Sequence, residues 1–153
     1  MDQRIAILFH ILAVVIWVGG MFFAYMAMRP AAAQTLEPAQ RLTLWAATFK
    51  RFFPWVWLSI FTLLSSGFYI IARFGGFAVV GTYVHIMLAL GVLMMLIFGY
   101  VYFAGFSRLK NAVAAQDWKA GGNALAKIRI LIGLNLSLGI ITVFVAILGK
   151  LFV

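Results

Sequence analysis

The stretch IAILFHILAVVIWVGGMFFAYMAM, residues 5–28, decides the fold of this chain. It contains no acidic residue, lysine or arginine, and it is longer than the ~20 apolar residues that a helix needs to cross about 30 Å of hydrocarbon. Residues 52–73, 81–105 and 130–149 share this apolar character and predict three more transmembrane helices. Residues 1–153 are therefore predicted to form one all-α membrane domain, a bundle of four transmembrane helices.

The composition also indicates an integral membrane protein. Hydrophobic residues make up 66% of the chain and charged residues only 10%, whereas a soluble domain has roughly 25% charged residues. The formal net charge of +9 does not predict nucleic-acid binding, because the cations flank the apolar stretches, where lipid headgroups attract them. Cysteine is absent, which excludes disulfides, thiolate metal sites and covalently attached c-type haem.

Lysine and arginine predict the orientation in the membrane. One side of the predicted bundle carries nine of these residues and the other side three, namely Arg4, Arg73 and Lys150. The positive-inside rule places the nine in the cytoplasm. In a bacterium, the chain is thus predicted to lie in the inner membrane with both termini in the periplasm.

The chain has two histidines, and both lie within the apolar stretches. His10 lies in the first predicted helix and His85 in the third, and these two helices run parallel in the predicted topology. At 1.5 Å per residue, both imidazoles lie roughly 7 to 9 Å below the outer boundary. An imidazole in hydrocarbon needs a partner, so a shared partner at this depth is one prediction.

Other polar residues are predicted to surround this pair. Ser66, Tyr69 and Arg73 follow one stripe of the second helix, and Trp17 lies on the same face of the first helix as His10. Arg4, Arg73 and Lys150 are predicted at the outer rim. Deeper in the fourth helix, Asn135 and Ser137 are predicted to hydrogen-bond to neighbouring helices.

Three interpretations of the histidine pair follow from the residues. The imidazoles could hydrogen-bond between helices. They could be the axial ligands of a noncovalent haem b whose propionates pair with Arg4, Arg73 or Lys150. They could instead bind copper(I), which imidazole and thioether ligands suit. No acidic residue lies within the spans to support acid–base chemistry.

Two segments resemble known membrane families. FHILAVVIWVGGMFFAYMAMRP (9–30) resembles the first helix of copper-resistance D (CopD-like) domains, with Phe-His followed by Trp-x-Gly-Gly. YVHIMLALGVLMMLIFGYVYF (83–103) is similar to the third helix of the related HemJ family, which is associated with haem and protoporphyrinogen oxidation. The resemblance implies that His10 and His85 bind haem or a metal. The HemJ pattern has a lysine where this chain has Met87.

The function predicted from the sequence is haem b binding through His10 and His85, with electron transfer. Filled axial positions favour electron transfer over substrate activation at iron, and a quinone or a periplasmic redox partner would complete the path. A protoporphyrinogen oxidase-like enzyme and a copper-handling protein are the alternatives. Enzymatic activity and a homo-oligomeric state are left open.

Overall fold

A computed structural model describes residues 2–149 of the chain, and its regular structure is helical. Within these residues, four helices are long and apolar enough to cross a membrane. They are α1 (Gln3–Thr35), α2 (Pro38–Arg73), α3 (Thr82–Ala114) and α4 (Trp118–Leu148). The predictions of an all-α fold and of four transmembrane helices are confirmed.

The helices are longer than the apolar stretches that predicted them. α2 begins at Pro38 and not near residue 52, because Glu37 and Gln40 form a capping box there. α4 begins at Trp118 and not near residue 130, because the Asp117 side chain accepts a hydrogen bond from the Ala120 N–H at 2.9 Å. Hydropathy locates the part of a helix in hydrocarbon, whereas caps locate its ends.

The four helices occupy the corners of a bundle. α1 packs mainly against α2 and α3 mainly against α4, and α4 also contacts α1 and α2. The parallel helices α1 and α3 have the least direct backbone contact and lie at opposite corners. We call the end that holds Asp2 and residues 74–81 the outer end, and the opposite end, where most lysines and arginines lie, the cationic end.

The packed core fills the middle of the bundle and its cationic end. Phe53 stacks on Phe49 with ring centroids 4.9 Å apart and meets the edge of Phe98 at 5.3 Å. Trp17 of α1 reaches Phe98 of α3 at 6.1 Å, across the diagonal. Towards the outer end, by contrast, Met94 is the outermost buried residue of α3. The outer half of α3 is therefore only loosely covered by the other helices.

Candidate functional site

His10 is fixed by a hydrogen bond to the neighbouring helix. Its Nδ1 lies 2.8 Å from the Ser66 hydroxyl oxygen on α2. Ser66 is buried and donates its hydroxyl proton to the Thr62 carbonyl one turn earlier. A serine hydroxyl has a single proton; with that proton on the Thr62 carbonyl, Ser66 is the acceptor, and the hydrogen-bond pattern favours the Nδ1–H tautomer of His10. Nε2 is then left with a free lone pair.

Gly67 makes room for this imidazole. A Cβ atom at Gly67 would lie 3.5 Å from His10 Cε1, so the ring packs directly against the α2 backbone. On α1, Ala6 and Ala13 are buried one turn to either side of His10. Small residues on both helices let them approach closely. The position of the His10 ring is thereby set by α2 as well as by its own helix.

His85 has a different environment. It lies in the first turn of α3 and is exposed, with its ring centroid 6.0 Å from that of Phe77. Phe77 in turn lies 6.2 Å from Phe68 of α2. Among the described residues, no hydrogen bond to the His85 ring is found. The ring of His85 therefore contacts Phe77 of the segment 74–81, and no hydrogen bond determines its tautomer among the described residues.

No hydrogen bond or ring contact among the described residues joins the two histidines, which lie on helices at opposite corners of the bundle. The heights of the two histidines can be compared from contacts shared by α1 and α3. Val18 of α1 and Met94 of α3 both approach Gly139. His10 lies eight residues outside Val18 and His85 nine residues outside Met94, which corresponds to about 12 and 13.5 Å along the helices. Counted from the Trp17–Phe98 contact, the corresponding heights are about 10.5 and 19.5 Å. By either count His85 lies further out than His10, by about 1.5 Å in the first and about 9 Å in the second.

The other predicted site residues lie at different depths in the bundle. Ser66 contacts His10 directly, whereas Trp17 is buried two turns deeper and packs on Phe98. Tyr69 is half-buried on α2, one turn beyond Ser66, while Arg4 and Arg73 are exposed at the outer ends of α1 and α2. Lys150 lies outside the described residues.

Deeper in the bundle, Asn135 is the buried polar residue that contacts another helix. Its Nδ2 donates to the Met94 carbonyl of α3 at 3.3 Å, as predicted for an interhelical hydrogen bond. Ser137 differs from the prediction, because its hydroxyl donates to the Gly133 carbonyl of its own helix. Asn135 Oδ1 is buried with no hydrogen-bond partner among the described residues and borders a cavity of about 20 Å³.

Sequence reasoning singled out Ser66 but missed Gly67. The signal was the run Ser65-Ser66-Gly67 within an otherwise large and apolar helix. Small residues in a membrane helix mark the places where another helix comes close. The close approach is what lets the serine reach His10.

Fold and site together define a multi-pass α-helical membrane protein with one oriented imidazole towards its outer end. A family model described as CopD, copper resistance protein D, matches residues 46–148, about two thirds of the chain. The chain belongs to the CopD family. This match includes His85 and begins after His10. No curated protein and no solved structure matches the chain.

Proposed function

We propose that this CopD-family protein handles copper near the outer end of its bundle and that His10 is its principal ligand. The observation that supports this is the hydrogen bond between His10 Nδ1 and the Ser66 hydroxyl. Histidines that bind metals almost always donate their other ring N–H to a neighbouring acceptor, which fixes the tautomer and the ring orientation. Here the acceptor is already in position, and Nε2 is available to a metal.

The chemistry of the available donors favours copper(I). Asp2, Glu37 and Asp117 are the only acidic residues of the chain, and all three lie at helix starts rather than within the spans. Hard divalent cations such as Ca²⁺ and Mg²⁺ need carboxylate and carbonyl oxygens. Copper(I) carries a single charge and accepts imidazole and thioether ligands. A neutral site is therefore better matched to copper(I).

The ligand types that close structural metal sites are not grouped around His10 among the described residues, and this supports copper as cargo. Residues 2–149 contain no group of three histidine, cysteine or acidic side chains that could hold a metal ion together. Structural metal sites, by contrast, are closed by a full set of protein ligands. We infer that copper is held by His10 together with an exchangeable ligand. The excess of cations at the opposite end supports an outer end that faces the periplasm of a bacterial inner membrane.

Haem b held by His10 and His85, with electron transfer to a quinone or a periplasmic redox partner, is the second candidate. Two observations favour it: the loose cover of α3 outside Met94, and the position of both histidines towards the outer end, with His85 about 1.5 to 9 Å further out. Arg4 and Arg73 are exposed at the rim and could pair with propionates. When bound, such a haem would supply one-electron chemistry. Its two ligands would come from opposite corners of the bundle.

Absorption spectra and copper titration distinguish the two candidates. The chain is expressed with ample haem, purified in detergent, and measured oxidised and dithionite-reduced; copper(I) is then titrated against a coloured chelator. We expect a protein without a haem spectrum that binds one copper(I) per chain, and we expect His85→Ala to retain this binding. A haem spectrum that disappears in His85→Ala would support the haem candidate, and absence of copper binding would overturn the first proposal.

Ser66→Ala tests how much the fixed tautomer matters. Without the hydroxyl, Nδ1–H of His10 has lost its acceptor, and we expect copper(I) affinity to fall by about 10- to 100-fold. Ser65→Ala is the matched control, because Ser65 is exposed on the same helix and donates only to the Phe61 carbonyl. Both variants are measured by competition with the chelator. Equal affinities in the two variants would contradict the positioning role of Ser66.

A further inference from the structure

A cleft of about 440 Å³ opens between α3 and α4 at the cationic end. Its floor is formed by Ala112, Ala124 and Ile128, which are buried where the two helices pack closely. Arg108 and Lys127 stand at its sides with exposed side chains. Ligand sites in proteins typically have volumes of about 300 to 1,000 Å³. The cleft is thus large enough for a small polar group, and it is separate from the site of His10.

The cations of this cleft are not used elsewhere in the fold. No ion pair forms among residues 2–149. Neither Arg108 nor Lys127 lies over an aromatic ring there, whereas Lys110 lies 4.7 Å from the centroid of the Phe106 ring. Asp117 also borders the cleft, but its Oδ1 accepts the Ala120 N–H as the cap of α4. The lining therefore holds two cations and one carboxylate, and this excess of positive charge suits an anion.

The residue types at the cleft fit a phosphate ester. The Arg108 guanidinium can bind two phosphate oxygens at once, and Lys127 adds a point charge. Asn111 and Asn123 line the same cleft and can donate to ester or hydroxyl oxygens. A free carboxylate would use fewer of these donors. The donor set therefore favours a phosphate group with neighbouring hydroxyl or ester oxygens.

The cleft also continues along the membrane-spanning part of the protein. Its lining extends to Tyr100 and Leu131, within α3 and α4, and Tyr100 is exposed. Towards the interior it is closed at Gly105, where a Cβ atom would come within 2.8 Å of Ile128 Cγ1. An occupant with a phosphate head therefore has an apolar surface beside it and no path into the bundle. This arrangement suits a molecule whose tail remains in the bilayer.

We propose that this cleft binds the headgroup of an anionic phospholipid from the leaflet at the cationic end. Arg108 and Lys127 contact the phosphate, Asn111 and Asn123 contact the headgroup oxygens, and the acyl chains lie along Tyr100 and Leu131. Basic clefts between membrane helices at this level are attractive to anionic headgroups, and each cation near the surface contributes favourably. The site is independent of copper and of His10.

Native mass spectrometry of the full chain tests the proposal. The protein is purified in detergent, exposed to equal amounts of phosphatidylglycerol and phosphatidylcholine, and assayed for retained lipid. We expect selective retention of phosphatidylglycerol, and about 30-fold weaker retention in the double variant Arg108→Gln/Lys127→Gln. The control Lys50→Gln/Lys119→Gln removes the same charge from exposed positions outside the cleft and is expected to retain the lipid.

Three outcomes would overturn the proposal. One is retention of phosphatidylglycerol by Arg108→Gln/Lys127→Gln at the wild-type level. Another is an equal loss in the control variant, which would indicate general surface attraction. The third is displacement by glycerol phosphate at the same concentration as by short-chain phosphatidylglycerol, since the site would then recognise a soluble phosphate. Both pairs of side chains are exposed, so the variants are expected to fold, and a far-UV spectrum checks this.

Discussion

Replacing His10 with alanine is expected to abolish copper(I) binding, with an affinity loss of at least about 100-fold. His10 supplies the imidazole that a buried hydroxyl orients, and alanine offers no ligand atom to a metal. The fold should tolerate the change, because the Ser66 hydroxyl keeps its bond to the Thr62 carbonyl. An interhelical hydrogen bond in a membrane contributes only about 0.6 kcal/mol on average. Chelator competition measures the affinity, and thermal unfolding in detergent measures the stability.

His85→Ala is the natural comparison for His10→Ala, since it removes the same side chain from an exposed position. Wild-type copper affinity in His10→Ala would contradict the proposed function. If His10→Ala loses its fold instead, the interhelical hydrogen bond is the main role of His10. Ser66→Ala then decides, because it removes the same hydrogen bond and leaves the imidazole ligand in place. A stable Ser66→Ala protein with weakened copper binding would support the ligand role.

The four membrane helices could be predicted because hydrophobicity reports directly on the thickness of the bilayer. The ends of the helices could not be predicted in this way. Lys50 and Arg51 end the apolar stretch 52–73 on its N-terminal side, but charged residues do not end a helix, and α2 continues back through them to the cap at Glu37. Part of the signal was readable, since Pro38 is a typical first helical residue and Asp117 is a typical N-cap.

The lateral arrangement was beyond sequence reasoning for a physical reason. In a membrane, lipid-facing and protein-facing surfaces are equally apolar, so periodicity does not show which side of α1 or α3 faces inward. His10 and His85 have similar apolar neighbours in the sequence, yet His10 is half-buried against Gly67 and His85 is exposed beside Phe77. The distinguishing feature lies on another helix, in the small residues of α2 opposite His10. The shared haem site therefore stays a prediction.

Replacing Gly139 with leucine is expected to lower the free energy of unfolding by about 2 kcal/mol or more. A Cβ atom there would lie 2.9 Å from Val18 Cγ2 and 3.2 Å from Met94 Cε, so α4 is packed against α1 and α3 at a single residue. A longer side chain must push both helices away and strain the Asn135–Met94 hydrogen bond one turn below. The measurement is unfolding in detergent, with Gly91→Leu as the control.

Gly91 is a suitable control because no atom lies within 4 Å of the position that its Cβ would take, so leucine should fit there without loss of stability. Gly139→Leu also bears on the site, since it pushes α1 and α3 away from α4 but leaves the contact between α1 and α2, which carry His10 and Ser66. Copper affinity in the folded fraction should therefore remain at the wild-type level. A fall in affinity that accompanies the loss of stability would instead indicate that a second ligand comes from α3 or α4, as the His10–His85 interpretation requires.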